Sequence, residues 1–97
     1  MNDFDRLLQR IHDEARGEGP EAVAHLEALK ARLDLAVQLI ERRRQLGMTQ
    51  VQLAEASGIA QAVISRIEQG RANPTANTLN SLARALDASL TLTARAS

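Results

Sequence analysis

The stretch QVQLAEASGIAQAVISRIEQ, from Gln50 to Gln69, decides the fold of this chain. Its pattern predicts two short helices joined by a tight turn at Gly58, where the backbone must adopt a positive φ. Ala54 lies where the two helices would cross, and its small side chain allows a close approach. One face of the pair is apolar and is expected to be buried: Leu53, Ile64 and Ile67.

The polar residues of the second helix fall on the opposite face: Gln61, Ser65, Arg66 and Gln69. A helix pair with one buried stripe and a polar outer face suits recognition of the major groove of DNA. Gln61 can make a bidentate contact with an adenine edge, Arg66 can reach guanine or a phosphate, and Ser65 can donate or accept. Ala62 and Val63 are candidates for contact with a thymine methyl group, although Val63 could equally belong to the core.

The ends of the two helices supply candidate contacts to the DNA backbone. Thr49 and Gln50 open the first helix, whose free N–H groups and positive end favour a phosphate. Arg71 and Asn73 follow the second helix and are further phosphate candidates. Thr49 is also suited to cap the helix, a role that is compatible with a DNA contact.

The wider stretch from Arg42 to Leu86 resembles the Cro/repressor type of regulator, the XRE family. The motifs that carry the resemblance are LGMTQ at 46–50, LA at 53–54, ISRIEQG at 64–70, NPT at 73–75 and LARAL at 82–86. The resemblance implies a lambda-repressor-like, all-α domain that binds double-stranded operator DNA.

The same resemblance implies roles for individual residues. Gln50 would hold the DNA backbone, and Arg43 would form an internal ion pair with Glu68. Arg42 and Arg44 are then expected to be the more solvent-facing arginines of the triple. Ala60 departs from the family, which usually has Ser or Thr there, and weakens the N-cap of the second helix.

Three segments are predicted along the chain: an N-terminal helical extension at 1–34, a DNA-binding domain at 35–88 with its motif at 50–69, and a tail at 89–97. The extension begins with an amphipathic helix at 3–15. After the break at 17–20, apolar residues recur every three or four positions up to Gly47. This pattern fits either one long helix or two that meet near residues 33–34.

The tail changes period, because apolar and hydroxyl residues alternate from Ser89 to Arg95. This alternation predicts a short C-terminal β-strand. Since one strand is unstable alone, it needs a partner, and the most economical partner is its own copy in a two-fold homodimer. The alternative is an unpaired tail.

Charge is unevenly distributed although the net charge is zero. Residues 1–34 carry −3, and residues 35–97 carry +3. This asymmetry suggests two partners, one anionic and one cationic. The alternative is ordinary scatter of charge.

The composition argues against catalysis. The chain has no cysteine, and His12 and His25 lie on different helices, where they are expected to be surface residues rather than metal ligands. No catalytic residue, metal site or cofactor is expected, so an enzyme is not predicted. No stretch is apolar enough for a membrane span or a secretory signal, so a cytoplasmic protein is expected.

Chains of this length with an added helical segment and a β-like tail are similar to antitoxins of the HigA and HipB kinds. The similarity implies a homodimeric repressor of its own operon that also neutralises a small, basic toxin protein. The extension would supply apolar contacts to that toxin: Phe4, Leu7, Leu8 and Ile11. Two alternatives remain, a stand-alone phage-like or chromosomal repressor without a toxin, and a protein-interaction adaptor that does not bind DNA.

Overall fold

The computed structural model describes residues 2–94 and contains five helices within them. The helices are α1 (Asp3–Glu18), α2 (Pro20–Gln45), α3 (Gln50–Ser57), α4 (Gln61–Glu68) and α5 (Ala76–Ala85). The chain divides into two compact units between Ala31 and Arg32. The periodic segment that allowed one or two helices is a single helix, α2.

The N-terminal unit pairs α1 with the first part of α2. Asn2 caps α1 by accepting a hydrogen bond from the Asp5 N–H at 2.8 Å, and Ala15 is buried. His12 Nε2 lies 2.5 Å from Glu27 Oε1. His25 is exposed, as expected, whereas His12 is only partly at the surface, with 20% of its side chain exposed beside this partner.

The second unit is built around one apolar cluster. Leu53, Ile64 and Ile67 are each at most 1% exposed, as the sequence pattern predicts. The other buried members are Leu39 of α2, Leu82 of α5 and Leu86, which directly follows α5. The helix pair α3–α4 thus shares one apolar cluster with residues of α2 and α5, and burial of apolar surface is the main favourable term in folding.

The helix ends follow the capping signals in the sequence. Thr49 and Gln52 form a reciprocal capping box at the start of α3, and Thr75 accepts from the Thr78 N–H at the start of α5. Ala60 gives α4 no side-chain cap, as predicted from its departure from Ser or Thr. Helix α4 therefore depends more on packing than its neighbours do.

The predicted C-terminal strand is absent from the chain by itself. Residues 88–94 have no regular secondary structure, and Leu92 is fully exposed. The physical reason is that no other strand exists among residues 2–94 to complete a ladder of hydrogen bonds. The last residues of the predicted segment, 95–97, lie outside the described part of the chain.

Two glycines of the helix pair allow a controlled test of the turns. Gly58 and Gly70 both have positive φ, 75° and 70°. A Cβ at Gly58 would meet nothing within 4 Å, whereas a Cβ at Gly70 would lie 2.7 Å from Leu33 Cδ2.

We expect Gly58→Ala to lower the free energy of unfolding by about 1–2 kcal/mol through backbone strain alone. Gly70→Ala should cost about 1 kcal/mol more, because the Leu33 side chain must also move. Chemical denaturation followed by circular dichroism measures both losses. In a Leu33→Ala background the excess at Gly70 should vanish, and equal losses at the two glycines would contradict the contact.

Candidate nucleic-acid interface

The outer face of α4 presents part of the predicted base-recognition set to solvent. Gln61, Ala62 and Arg66 are exposed. Ser65 is half-buried, and its Oγ accepts a hydrogen bond from Gln69 Nε2 at 3.0 Å. Val63 packs against the core, which favours the core alternative for this residue.

The predicted phosphate contacts lie at the start of α3 and in the loop after α4. Thr49 is exposed, although its hydroxyl already accepts from the Gln52 N–H at 3.1 Å. Arg71 and Asn73 are exposed, and Arg71 Nη1 donates to Gln69 Oε1 at 3.3 Å. These side chains can reach a ligand outside the fold without unpacking the core.

Gln50 has a second role that the sequence did not reveal. The residue is half-buried, and its Nε2 donates to Glu68 Oε1 at 3.1 Å. Its remaining amide N–H is the group that could donate to a phosphate oxygen. The hydrogen bond fixes the side-chain amide, so that a DNA contact by Gln50 would need no further ordering of that side chain.

Arg43 and Glu68 form the ion pair that the family resemblance implies. Arg43 donates from Nε and Nη2 to the two carboxylate oxygens, each at 2.8 Å. Its Nη1 also donates to the Met48 carbonyl at 2.9 Å. The Arg43 side chain is 13% exposed and that of Glu68 is 4% exposed. Such a bidentate pair fixes both distance and orientation between α2 and the end of α4.

The ion pair shifts the pKa of each partner in the direction that favours its charged form. Burial by itself would raise the pKa of Glu68, but the hydrogen bonds from Arg43 and Gln50 and the nearby positive charges outweigh it and lower that pKa. The hydrogen bond to Glu68 raises the pKa of Arg43. The network is therefore fully ionised at neutral pH.

Arg42 also makes contacts inside the fold that the sequence did not reveal. The residue is half-buried, and its Nε donates to the Leu86 carbonyl at 2.9 Å. Its Nη2 reaches the Asp87 carbonyl at 3.3 Å. A guanidinium at this position satisfies carbonyls at the C-terminal end of α5, where positive charge is favourable. Arg44 is exposed, as expected.

Within residues 2–94, no group of three or more acidic or histidine side chains could hold a metal ion. No helix of that part of the chain is both long and apolar enough to cross a membrane.

The arrangement of α3 and α4, with a buried apolar seam and an exposed polar face, defines a helix-turn-helix protein. A helix-turn-helix family model, HTH_3, matches residues 39–92. The chain therefore belongs to this helix-turn-helix family.

Two curated relatives carry the name uncharacterized HTH-type transcriptional regulator. One, from Haemophilus influenzae, is 43% identical over 61 residues, which cover 63% of this chain and 62% of the relative. Another, from Sinorhizobium fredii, is 47% identical over 47 residues, which cover 48% of this chain and 61% of the relative. The chain thus spans about three fifths of the length of these relatives. No solved structure matches it.

The ion pair generates a prediction with a defined pH dependence. At pH 7, Glu68→Gln should lower the free energy of unfolding by about 1–3 kcal/mol, because it removes the counterion of the partly buried Arg43. Chemical denaturation across pH 3–7 measures this difference. The exposed Glu55→Gln on α3 is the control and should change stability by less than about 0.5 kcal/mol.

The sign of the pH effect follows from the lowered pKa of Glu68. The unfolded chain binds this proton more readily than the folded chain, so the stabilisation is present above the ordinary pKa of 4.5. It is lost as pH falls through the lower pKa of the folded state. The gap between the wild type and Glu68→Gln should therefore shrink in acid, and a gap of constant size would contradict the ionised pair.

Proposed function

We propose that this protein is a sequence-specific DNA-binding regulator that represses transcription as a homodimer. The observation that carries the proposal is the exposed polar face of α4, formed by Gln61 and Arg66, on a helix whose other face is fully buried. A rigid helix with short polar side chains can enter the major groove without reorganisation. Repression would follow from excluding polymerase at the operator, with no catalysis and no cofactor, in the cytoplasm.

The dimer is supported by an apolar groove between α2, α5 and the tail. The groove has a volume of about 200 Å³. Its apolar lining consists of Leu35, Leu39, Leu79, Leu82, Ala83, Leu86, Ala88 and Leu90. Leu90 is 53% exposed at its edge, and Leu92 is more exposed still. A second copy seated on this groove would cover these leucines.

Selection of duplexes from a random pool tests this function. Selected sites should contain an inverted repeat whose half-site centres lie about 10 base pairs apart, the spacing expected for a two-fold dimer. Gln61→Ala and Arg66→Ala should each cost about 1–3 kcal/mol of discrimination against the wrong base. Titration of the selected site and of a scrambled duplex measures the ratio of specific to non-specific affinity.

Arg84→Ala is the matched control, since it removes an equally exposed arginine from α5. It should leave the ratio of affinities unchanged. If no duplex is enriched, the result would favour the alternative of an adaptor, a helix-turn-helix protein that mediates only protein contacts. Enrichment of single half-sites would contradict the dimer.

We further propose that the regulator is the antitoxin of a toxin–antitoxin pair. The support lies in α1, where Phe4, Leu7 and Ile11 are 57%, 48% and 37% exposed. Their spacing of three and four residues places them on one face of the helix. Leu8 is half-buried and lines a groove with His12 and Lys30, so it is less accessible to a partner.

Charge complementarity favours a basic partner for this face. Residues 1–34 carry −3, and Glu14 and Glu18 line a second groove of the N-terminal unit next to Ile11. An apolar strip with acidic neighbours suits a basic protein that presents an apolar patch. A stand-alone repressor would use the same face for other contacts or leave it free.

Affinity capture from the native host tests the antitoxin proposal. The full chain should retrieve a small basic protein, and the double variant Leu7→Ser/Ile11→Ser should lose it, because the apolar contact is removed. The control Arg6→Ser/Arg10→Ser changes exposed residues of the same helix and should retain the partner. Absence of such a protein from all three captures would leave the stand-alone repressor as the function of this protein, and equal retrieval by all three chains would contradict the contact through α1.

A further inference from the structure

The side chain of Arg32, the first residue of the second unit, contacts the turn that follows α4. Its Nε donates to the Gly70 carbonyl oxygen at 3.1 Å, a partly buried hydrogen bond between residues 38 positions apart. The adjacent Leu33 packs against the same glycine, whose missing side chain leaves the space that Leu33 occupies. Gly70 itself is buried.

Gly70 also closes the C-terminal end of α4 from the other side. Its N–H bonds to the Ile67 carbonyl at 3.0 Å, and the Arg71 N–H bonds to the Arg66 carbonyl at 2.9 Å. With φ of 70° at Gly70, these bonds form a Schellman motif. The motif fixes the backbone as far as the N–H of Arg71.

The hydrogen bond from Arg32 completes the constraint on one peptide unit. The Gly70 carbonyl and the Arg71 N–H belong to the same planar peptide group. Arg32 donates to the oxygen of this peptide group, and the Arg66 carbonyl accepts from its N–H. The peptide plane therefore cannot rotate freely. Because this plane includes the Cα of Arg71, it fixes the point from which the Arg71 side chain leaves the backbone.

The chemistry of the contact suits an arginine. The C-terminal end of a helix carries partial negative charge, and a guanidinium stays charged at every physiological pH. Arg42 makes the equivalent contact at the end of α5. Helix α2 thus supplies cations to the C-terminal turns of both α4 and α5.

We propose that Arg32 is a positioning residue for recognition of the DNA backbone. It holds the peptide plane between residues 70 and 71 so that Arg71 meets a phosphate when α4 lies in the groove. The inference rests on the proposed DNA-binding function. Arg32 precedes residues 39–92, the part matched by the family model, although it belongs to the same compact unit as α4.

A double-mutant cycle on the full-length protein tests the inference. The probe is a mixed-sequence duplex of 30 base pairs, and affinity is measured from 50 to 300 mM salt for Arg32→Ala, Arg71→Ala and the double variant. Loss of one phosphate contact should reduce the slope of log affinity against log salt by about 1 and the affinity by up to about eightfold at 0.1 M salt. Arg32→Ala should show this loss, and the double variant should lose no more than Arg71→Ala alone.

Lys30→Ala is the matched control, because it removes an exposed positive charge from the same helix two residues earlier. It should leave the slope unchanged. Equal effects of Lys30→Ala and Arg32→Ala, or additive losses in the double variant, would overturn the positioning role, since Arg32 would then act through its charge alone. Absence of binding by the wild type would overturn the DNA-binding function and this inference with it.

Amide hydrogen exchange separates positioning from general stability. In Arg32→Ala the Arg71 amide should lose protection while the Leu53 amide in the core keeps it. If Arg32→Ala is unfolded by circular dichroism, the same cycle is run with Arg32→Lys, which keeps the charge and the stem but lacks the Nε donor. Full protection of the Arg71 amide in whichever variant folds would overturn the inference.

Discussion

The partly buried ion pair between Arg43 and Glu68 is the interaction on which the helix-turn-helix depends. It joins α2 to the last residue of α4, and Gln50 connects the same carboxylate to the start of α3. Helix α4 has eight residues and no side-chain cap, so it would be marginal in isolation. Packing of its apolar face determines how closely α4 approaches the core. The ion pair fixes the rotation of α4 about its axis and its position along that axis. The polar face of the helix is consequently presented in one orientation.

Helix α2 serves as the frame for the short helices around it. Its arginines reach three separate elements: Arg32 contacts the turn after α4, Arg42 the end of α5, and Arg43 the loop before α3 as well as Glu68. Each of the carbonyls involved lies where a helix or its connection leaves backbone acceptors unsatisfied. One long helix thus fixes the ends of the short ones by side-chain contacts to the backbone, in addition to the apolar core.

The helix pair could be predicted from sequence because its signals are local. Gly58 marks the turn, Thr49 marks the start of α3, and the apolar spacing of Ile64 and Ile67 marks the buried face of α4. The contacts of Arg32 and Arg42 could not be predicted in this way. They join side chains to carbonyls about 40 residues away, and a backbone carbonyl carries no mark of residue type in the sequence.

The sequence predictions that differ from the structure also depend on contacts between residues that are far apart in the chain. His12 was expected at the surface because nothing close to it in sequence indicates that Glu27 lies beside it. The strand predicted for the tail is missing because alternation specifies the faces of a strand but cannot supply its neighbour. Val63 was open between two roles, and only the packing of the core distinguishes them.

The use of arginines inside the fold has a consequence for how the protein would search a genome. Of the arginines between residues 35 and 94, two are committed to internal acceptors, and Arg44, Arg66, Arg71 and Arg84 remain exposed. Attraction to random DNA grows with the number of phosphates neutralised, so few free cations mean weak sequestration by the excess of non-specific sites. Fewer copies per cell would then suffice to occupy a specific site.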